Sequence, residues 1–240
     1  MDLDSLIATL EAIAPPELAR PIDQSRIGLV SRGKEEIDKI AVALDPTTHV
    51  IKEALRVNAD VLITHHTLIW DPITRISPRI RDELRLILSD DLSYYVLHTN
   101  YDAAPGGVND ILARLLGLED IEPFGMGRMG VIEPTSAMEF AQHVSRELTT
   151  NVQFIGNGIV RKVAVIGGSG FYSTEDAVEA GADALVSAEL KHDIVRYARG
   201  RISLIDATHY ATEAPAMKVL ARRLNAVFID DPPGFVILPP

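Results

Sequence analysis

The chain has no cysteine among its 240 residues. That absence removes disulfides, thiolate zinc sites and a cysteine nucleophile together. It fits a reducing compartment, and a cytoplasmic location is the expectation. No stretch of eighteen or more apolar residues occurs, so no membrane-spanning helix is expected. Positive charge is scarce: 23 Lys and Arg stand against 34 Asp and Glu, a formal net charge of −11. An acidic chain repels phosphate backbones, and no Lys/Arg cluster offsets this, so nucleic acid is not an expected partner. The densest mixed-charge stretch, "SPRIRDELR" (77–85), reads as a solvated helix face. GxxxxGK[ST] and GxSxG are both missing, which excludes a phosphate loop and a nucleophile elbow. The N-terminal "MDLDSLIATLEAIAPPE" lacks the basic region of a signal peptide. It reads as an amphipathic helix that stops at Pro15-Pro16.

What the chain does contain is alternation. "IDKIAVALD" (37–45) is a short run rich in β-branched residues and reads as a strand. "THVIKEALRVN" (48–58) carries apolar residues at helical spacing, with Thr47 or Thr48 as its N-cap. A strand at "DVLIT" (60–64) and a helix at "RIRDELRLILSD" (79–90) come next. They are followed by a strand at "SYYVLH" (93–98) and a helix at "GGVNDILARLLGL" (106–118), closed by Gly117. That order implies βαβ crossovers and a mainly parallel sheet. "GLEDIEPFGMGRMGVIEP" (117–134) is rich in Gly and Pro, has little periodicity, and reads as a junction between lobes. Beyond it the spacing predicts helices over 136–149, 174–182, 190–200 and 213–225. The matching strands fall at 161–168, 183–188, 202–208 and 226–230. No repeat of fixed short period is evident. The expected fold is α/β, with two similar α/β lobes built on mainly parallel or mixed sheets. Residues 1–116 with 209–240 form the first lobe and 117–208 the second. The tail "DDPPGFVILPP" cannot continue a helix or a central strand.

In parallel α/β sheets, ligands bind beyond the carboxyl ends of strands. After the strand at 60–64 come His65 and His66. After 93–97 come His98 and, four residues on, Asp102. After 202–207 come His209 and Glu213. Of the seven histidines, these four lie at strand ends, and His192 lies nearby. Pro215 argues for a helix that begins near Thr212, leaving His209 in the preceding loop and Glu213 in the first turn. His65, His66, Asp102, His209 and Glu213 thus make a nitrogen-and-oxygen ligand set. Imidazole suits Zn, Fe, Ni and Cu, and carboxylates extend the choice to Mn. Five ligands exceed a tetrahedral structural site, and two carboxylates are enough to bridge ions about 3.5–4 Å apart. Plainer readings stand beside these. His98 alone, and His143 in its helix, read as hydrogen-bonded residues. Asp102 is either a ligand or the cap of the helix that Pro105 helps to start. Glu213 is either a ligand or a first-turn charge. The adjacent pair His65-His66 is the hardest to explain without a metal.

Two glycine-rich motifs are present. "GMGRMG" (125–130) matches GxGxxG by letter, but it neither follows a strong strand nor opens a helix, so it reads as a turn. "GGSGF" (167–171) lies between a strand and a helix. It is either a tight connection or a nest of N–H groups for an anion.

"DVLITHHTLIW", "LHTNYDAAPGGVNDILARLLGL", "GMGRMG", "KVAVIGGSG", "GADALVSAELKHD" and "DATHYATE" occur in that order. Together they resemble the NIF-three-like family, also called GTP cyclohydrolase 1 type 2 homologues (YbgI-like), in its short form without an inserted domain. The resemblance runs from about Gly28 to about Leu224. It implies a two-lobed α/β protein with a dinuclear metal site in the inter-lobe cleft. The implied ligands are the same five residues, with His98 supporting or joining them. The resemblance also implies dimers assembled into hexameric rings. The chain departs from the family pattern at "SRIGLV", at Ser187-Ala188-Glu189 and at Thr208. None of these removes a proposed ligand, and Ala188 bears on cleft shape.

The resulting expectation is a dinuclear metal-binding protein with two divalent ions per chain (Zn, Fe, Mn or Ni). It would act as a metal-dependent hydrolase of cyclohydrolase, amidohydrolase or phosphoesterase type on a small molecule. Glu189, Lys191 and His192 are implied to line the same cleft. Glu189 or His192 would move protons, and Lys191 or Arg128 would hold an anionic substrate. Nothing in the residues recognises guanine or a triphosphate. The alternatives are storage, delivery or sensing of metal without turnover, and an adaptor whose metal locks the lobes.

Overall fold

Alternating apolar runs and amphipathic stretches become alternating strands and helices throughout the computed structural model, which describes residues 1–235. The end of the Pro-rich tail lies outside the described residues. The chain runs α1 (Leu3–Ile13), β1 (Gly28–Ser31), β2 (Ile40–Ala43), α2 (Thr48–Arg56), β3 (Val61–Thr64), α3 (Pro78–Ser89) and β4 (Ser93–Val96). Next come α4 (Thr99–Ala103), α5 (Val108–Leu115), β5 (Glu119–Phe124), β6 (Gly127–Ser136), α6 (Ala137–Glu147), β7 (Gln153–Ile155) and β8 (Ile159–Val165). The rest is α7 (Thr174–Glu179), β9 (Ala184–Ser187), α8 (His192–Ala198), β10 (Ser203–Asp206), α9 (His209–Arg223) and β11 (Val227–Phe228).

The chain divides into two units. The first holds Met1–Thr9, Ile22–His98 and the chain from Met217 onward. Its sheet has the order β1-β4-β3-β2-β11, parallel except for β1. All four residues of β3 are buried, as expected for a parallel strand covered on both faces. The covering helices start where their caps dictate. Thr47 accepts the Val50 N–H for α2, and Ser77 accepts the Ile80 N–H for α3, with Pro78 in the first turn. Ile51, Leu62, Ile87 and Tyr94 fill the core beneath them. Burial contributes about 1.5–3 kcal/mol for each large aliphatic side chain.

The second unit holds Leu10–Pro21 and Thr99–Ala216. Its sheet has the order β5-β6-β8-β9-β10-β7, with β8, β9 and β10 parallel and the flanking strands antiparallel. The stretch read as a junction, 117–134, is instead a β-hairpin, and "GMGRMG" supplies its turn and the start of β6. The strand period was hidden because β5 is mostly exposed and polar. The glycines serve close approach: a Cβ at Gly127 would strike the Val165 carbonyl. Leu112, Ala113 and Leu116 pack with Phe140, Val163 and Val165. That packing ties α5 to the second sheet, and α4 and α5 both belong to the second unit.

The two units repeat one plan. Ile40, Val61 and Ser93 form one row across the first sheet, and Val163, Ala184 and Ser203 form the same row in the second. In that register "KIAVALD" (39–45) matches "KVAVIGG" (162–168), and "ADVLITHH" (59–66) matches "ADALVSAE" (182–189). The Asp60 carboxylate accepts the N–H groups of Asp38 and Lys39 at 3.0 and 2.9 Å. The Asp183 carboxylate accepts those of Arg161 and Lys162 at 2.9 and 2.8 Å. Each aspartate hooks the start of its unit's central strand to the strand beside it. The expectation of two similar lobes therefore holds down to the register.

Candidate metal centre

In the first unit, β3 ends at Thr64 and its backbone stays tied to the residue after β2. The N–H groups of His65 and His66 both donate to the Leu44 carbonyl, at 3.1 and 3.0 Å. The turn beyond is pinned from β4 by Tyr94. Its hydroxyl donates to the His66 carbonyl at 3.1 Å and accepts the Leu68 N–H at 3.0 Å. Burial pushes that hydroxyl well above the usual tyrosine range, so it stays protonated at neutral pH.

Held in this way, three imidazoles converge. The His65 ring lies 5.0 Å from that of His66 and 5.1 Å from that of His98, centroid to centroid. One ring nitrogen of each lies within 4.8 Å of the other two. An ion with metal–nitrogen bonds of about 2.0–2.1 Å fits that spacing after small side-chain movements. His66 Nδ1 lies 2.6 Å from Asp45 Oδ1, which fixes the ring and presents Nε2 as the ligating atom. His98 Nδ1 lies 3.4 Å from Asp23 Oδ1.

In the second unit, α9 begins at His209 and carries Pro215 inside it. This corrects the expected start near Thr212. Proline forfeits its own N–H bond, but Ala214, Ala216, Met217 and Leu220 are buried along the same helix, and their burial outweighs one missing bond. The earlier start puts His209 and Glu213 on one helix face, with His209 Nε2 3.0 Å from Glu213 Oε2. On the other side of the ring, His209 Nδ1 lies 2.7 Å from Glu189 Oε1. That hydrogen bond holds the Glu189 carboxyl below its usual range, with burial acting the other way.

The loop after β8 is shaped around this pair. Gly168 has φ +62°, and a Cβ there would run into the Glu213 carboxylate and the His209 ring. Its N–H donates to the Thr212 hydroxyl at 3.0 Å. The Gly167 N–H goes to Asn109 Oδ1 at 2.7 Å, and the Gly170 N–H to Ser187 Oγ at 2.8 Å. These donors are engaged within the fold, so "GGSGF" is a tight connection rather than an anion nest. Asn109 also donates to the Asp102 carbonyl at 3.1 Å. Asp102 lies within α4, and the cap of α5 is Gly107, so Asp102 is not that helix's cap. The donors are imidazole nitrogens and carboxylate oxygens, which suit borderline divalent ions. The missing Cβ at residue 168 makes room for the Glu213 carboxylate and the His209 ring.

The remaining predicted residues divide. Glu189 reaches His209. Lys191 and His192 sit exposed at the start of α8, and among the described residues neither side chain makes a hydrogen bond or ion pair. Arg128 is committed elsewhere, which corrects its assignment to substrate. It is buried against Asp110, and its other donors meet the carbonyls of Gly127, Ala103 and Ala104. Asp45, Asp23, Tyr94 and Asn109 were not anticipated. Asp45 lies two residues beyond β2, inside the run read as a strand (37–45), so the strand-end rule passed it over. The others are brought in by tertiary contacts.

The family model described as Duf34/NIF3 (NGG1p interacting factor 3) matches residues 1–232. A Pyrococcus abyssi protein named GTP cyclohydrolase 1 type 2 homolog is 35% identical over 231 residues, covering 88% of this chain and 92% of that protein. A Pyrococcus horikoshii protein of the same name is 34% identical, covering 98% and 100%. Among solved structures, protein ybgI, of unknown function, superposes with a TM-score of 0.91 at 26% identity, covering 97% of this chain and 99% of that one. Reduced HcgD from Methanocaldococcus jannaschii gives 0.84 at 32% identity, covering 95% and 96%.

Proposed function

The chain belongs to the Duf34/NIF3 family, and from that premise we propose that it is a dinuclear metal-dependent hydrolase acting on a small molecule. The observation that carries this reading is the convergence of His65, His66 and His98 at adjacent strand ends, with ligating nitrogens within 4.8 Å. Asp102, His209 and Glu213, all in the second unit, are that unit's proposed ligands, and His209 Nε2 lies 3.0 Å from Glu213 Oε2.

Divalent ions held by these groups would supply Lewis acidity, acidifying a water and polarising the substrate's electrophile. The chain's own groups do the positioning. Asp45 fixes the tautomer and tilt of His66. Glu189 does the same for His209, whose Nε2 faces Glu213. Asp102 and Glu213 are the carboxylates that would help to hold the ions. Of the proton-handling candidates, Glu189 has the best-supported place, and Lys191 and His192 are proposed for anion holding and proton transfer from the start of α8. Assembly into a hexameric ring belongs to the same proposal.

The test is a hydrolysis screen of nucleotides, phosphoesters and cyclic amides by chain purified without chelator, with Asp102→Ala beside it. Turnover that disappears in Asp102→Ala supports a hydrolase. Tight metal binding without Asp102-dependent turnover on any substrate class overturns it in favour of storage or delivery.

A further inference from the structure

The only tryptophan in the chain, Trp70, borders the histidine group. Its indole lies 5.2 Å from the His98 ring and 6.0 Å from the His66 ring, centroid to centroid. It is 41% exposed, in a loop that also exposes Ile73 and Ile76. An open indole beside polar ligands is an unusual use of the residue with the largest apolar surface. Local packing holds it there. The Arg26 guanidinium sits 5.5 Å from the ring centroid, and its Nε donates to the Trp70 carbonyl at 2.6 Å. Arg26 in turn pairs with Asp23 at 3.1 Å and Asp71 at 3.3 Å, and Asp23 reaches His98. The indole is therefore fixed in place before any ligand arrives.

We propose that Trp70 is a stacking platform that recognises a planar heteroaromatic ring in the substrate of the histidine site. Stacking on an indole needs a flat π-face and tolerates many ring identities. A non-aromatic phosphoester or open-chain amide offers no such face. Arg26, the cation packed on the platform among the described residues, is already paired with two aspartates, so this edge reads the ring and leaves phosphate groups unread. The assignment rests on reading His65, His66 and His98 as the metal-bearing site.

The sole tryptophan makes the test direct. The metal-loaded full chain is titrated with guanosine, adenosine, uridine, GTP and ribose 5-phosphate, following tryptophan emission, with calorimetry for the variants. Trp70→Phe and Trp70→Leu are assayed beside it, and metal content and oligomeric state are measured for all three proteins. Saturable quenching by at least one ring-bearing probe, and none by ribose 5-phosphate, is expected. Trp70→Leu weakens the ring probes at least about tenfold, by the same factor for guanosine and GTP, while Trp70→Phe stays within about threefold. Equal affinity in Trp70→Leu overturns the proposal. So does the absence of ring binding at millimolar probe, or a change of oligomeric state in Trp70→Leu with affinity unchanged. Loss of metal from the unmutated chain would refute the metal reading separately, and the ring titration still decides the role of the indole.

Discussion

The two units start their parallel strands alike and finish them differently. At the amino end, Asp60 and Asp183 make the same pair of backbone hydrogen bonds. At the carboxyl end, the row holding Asp45 in the first unit holds Gly168 in the second. His65 and His66 align with Ala188 and Glu189. The same division of labour then appears with its parts exchanged. In the first unit the carboxylate after β2 orients an imidazole after β3. In the second the carboxylate after β9 orients an imidazole at the start of α9. One scaffold thus presents imidazoles in the first unit and mostly carboxylates in the second. Structural residues stay constant where strands begin, and chemical residues vary where strands end, as parallel sheets allow.

The sharpest way to break this comparison is to remove the space that Gly168 leaves. Gly168→Ala places a methyl against the Glu213 carboxylate in a backbone conformation that disfavours alanine, and should cost at least about 2 kcal/mol. Urea denaturation reads that loss, and metal analysis should show depleted binding. Retention of both would mean that the loop does not shape the site. Asp45→Asn, at the aligned position, should act on the metal rather than on the fold. Its affinity should fall about 10–100-fold with little change in melting temperature, and an unchanged affinity would remove Asp45 from the account.

A smaller effect tests the shared ends. Burial raises the Asp60 carboxyl pKa, but the Lys34 ammonium and the N–H groups of Lys39 and Asp38 outweigh it and leave the carboxyl below its usual range. A carboxyl with a depressed folded pKa stabilises the fold above its unfolded value of about 3.9, and that contribution is lost as pH falls through the folded value. Asp60→Asn should therefore cost about 1–2 kcal/mol at pH 7. The gap between variant and parent should narrow below about pH 4. A gap that is constant with pH would contradict the charge-based account.

The βαβ order was legible because β2, β3 and β9 are buried along their whole length, β8 ends in a buried apolar run, and amphipathic helices flank them. The hairpin of β5 and β6 was not, since an exposed edge strand and close-approach glycines imitate a loop. The histidines were legible from strand ends alone. The helical start at His209 was hidden by Pro215, whose local preference yields to the burial of the helix around it. Asp23 and Tyr94 were beyond reach because only tertiary contacts bring them to the histidines. Arg128 showed the opposite error: a cation attractive in sequence is consumed by Asp110 and three carbonyls.

The central claim is that the strand ends of both units hold metal. Metal analysis of the chain purified without chelator and exposed to Zn, Fe or Mn tests it most directly, with His65→Ala and Glu213→Gln beside it. The account predicts about two ions per chain, and loss of metal in each variant. Less than about half an ion per chain under replete conditions, or full occupancy in both variants, would contradict it.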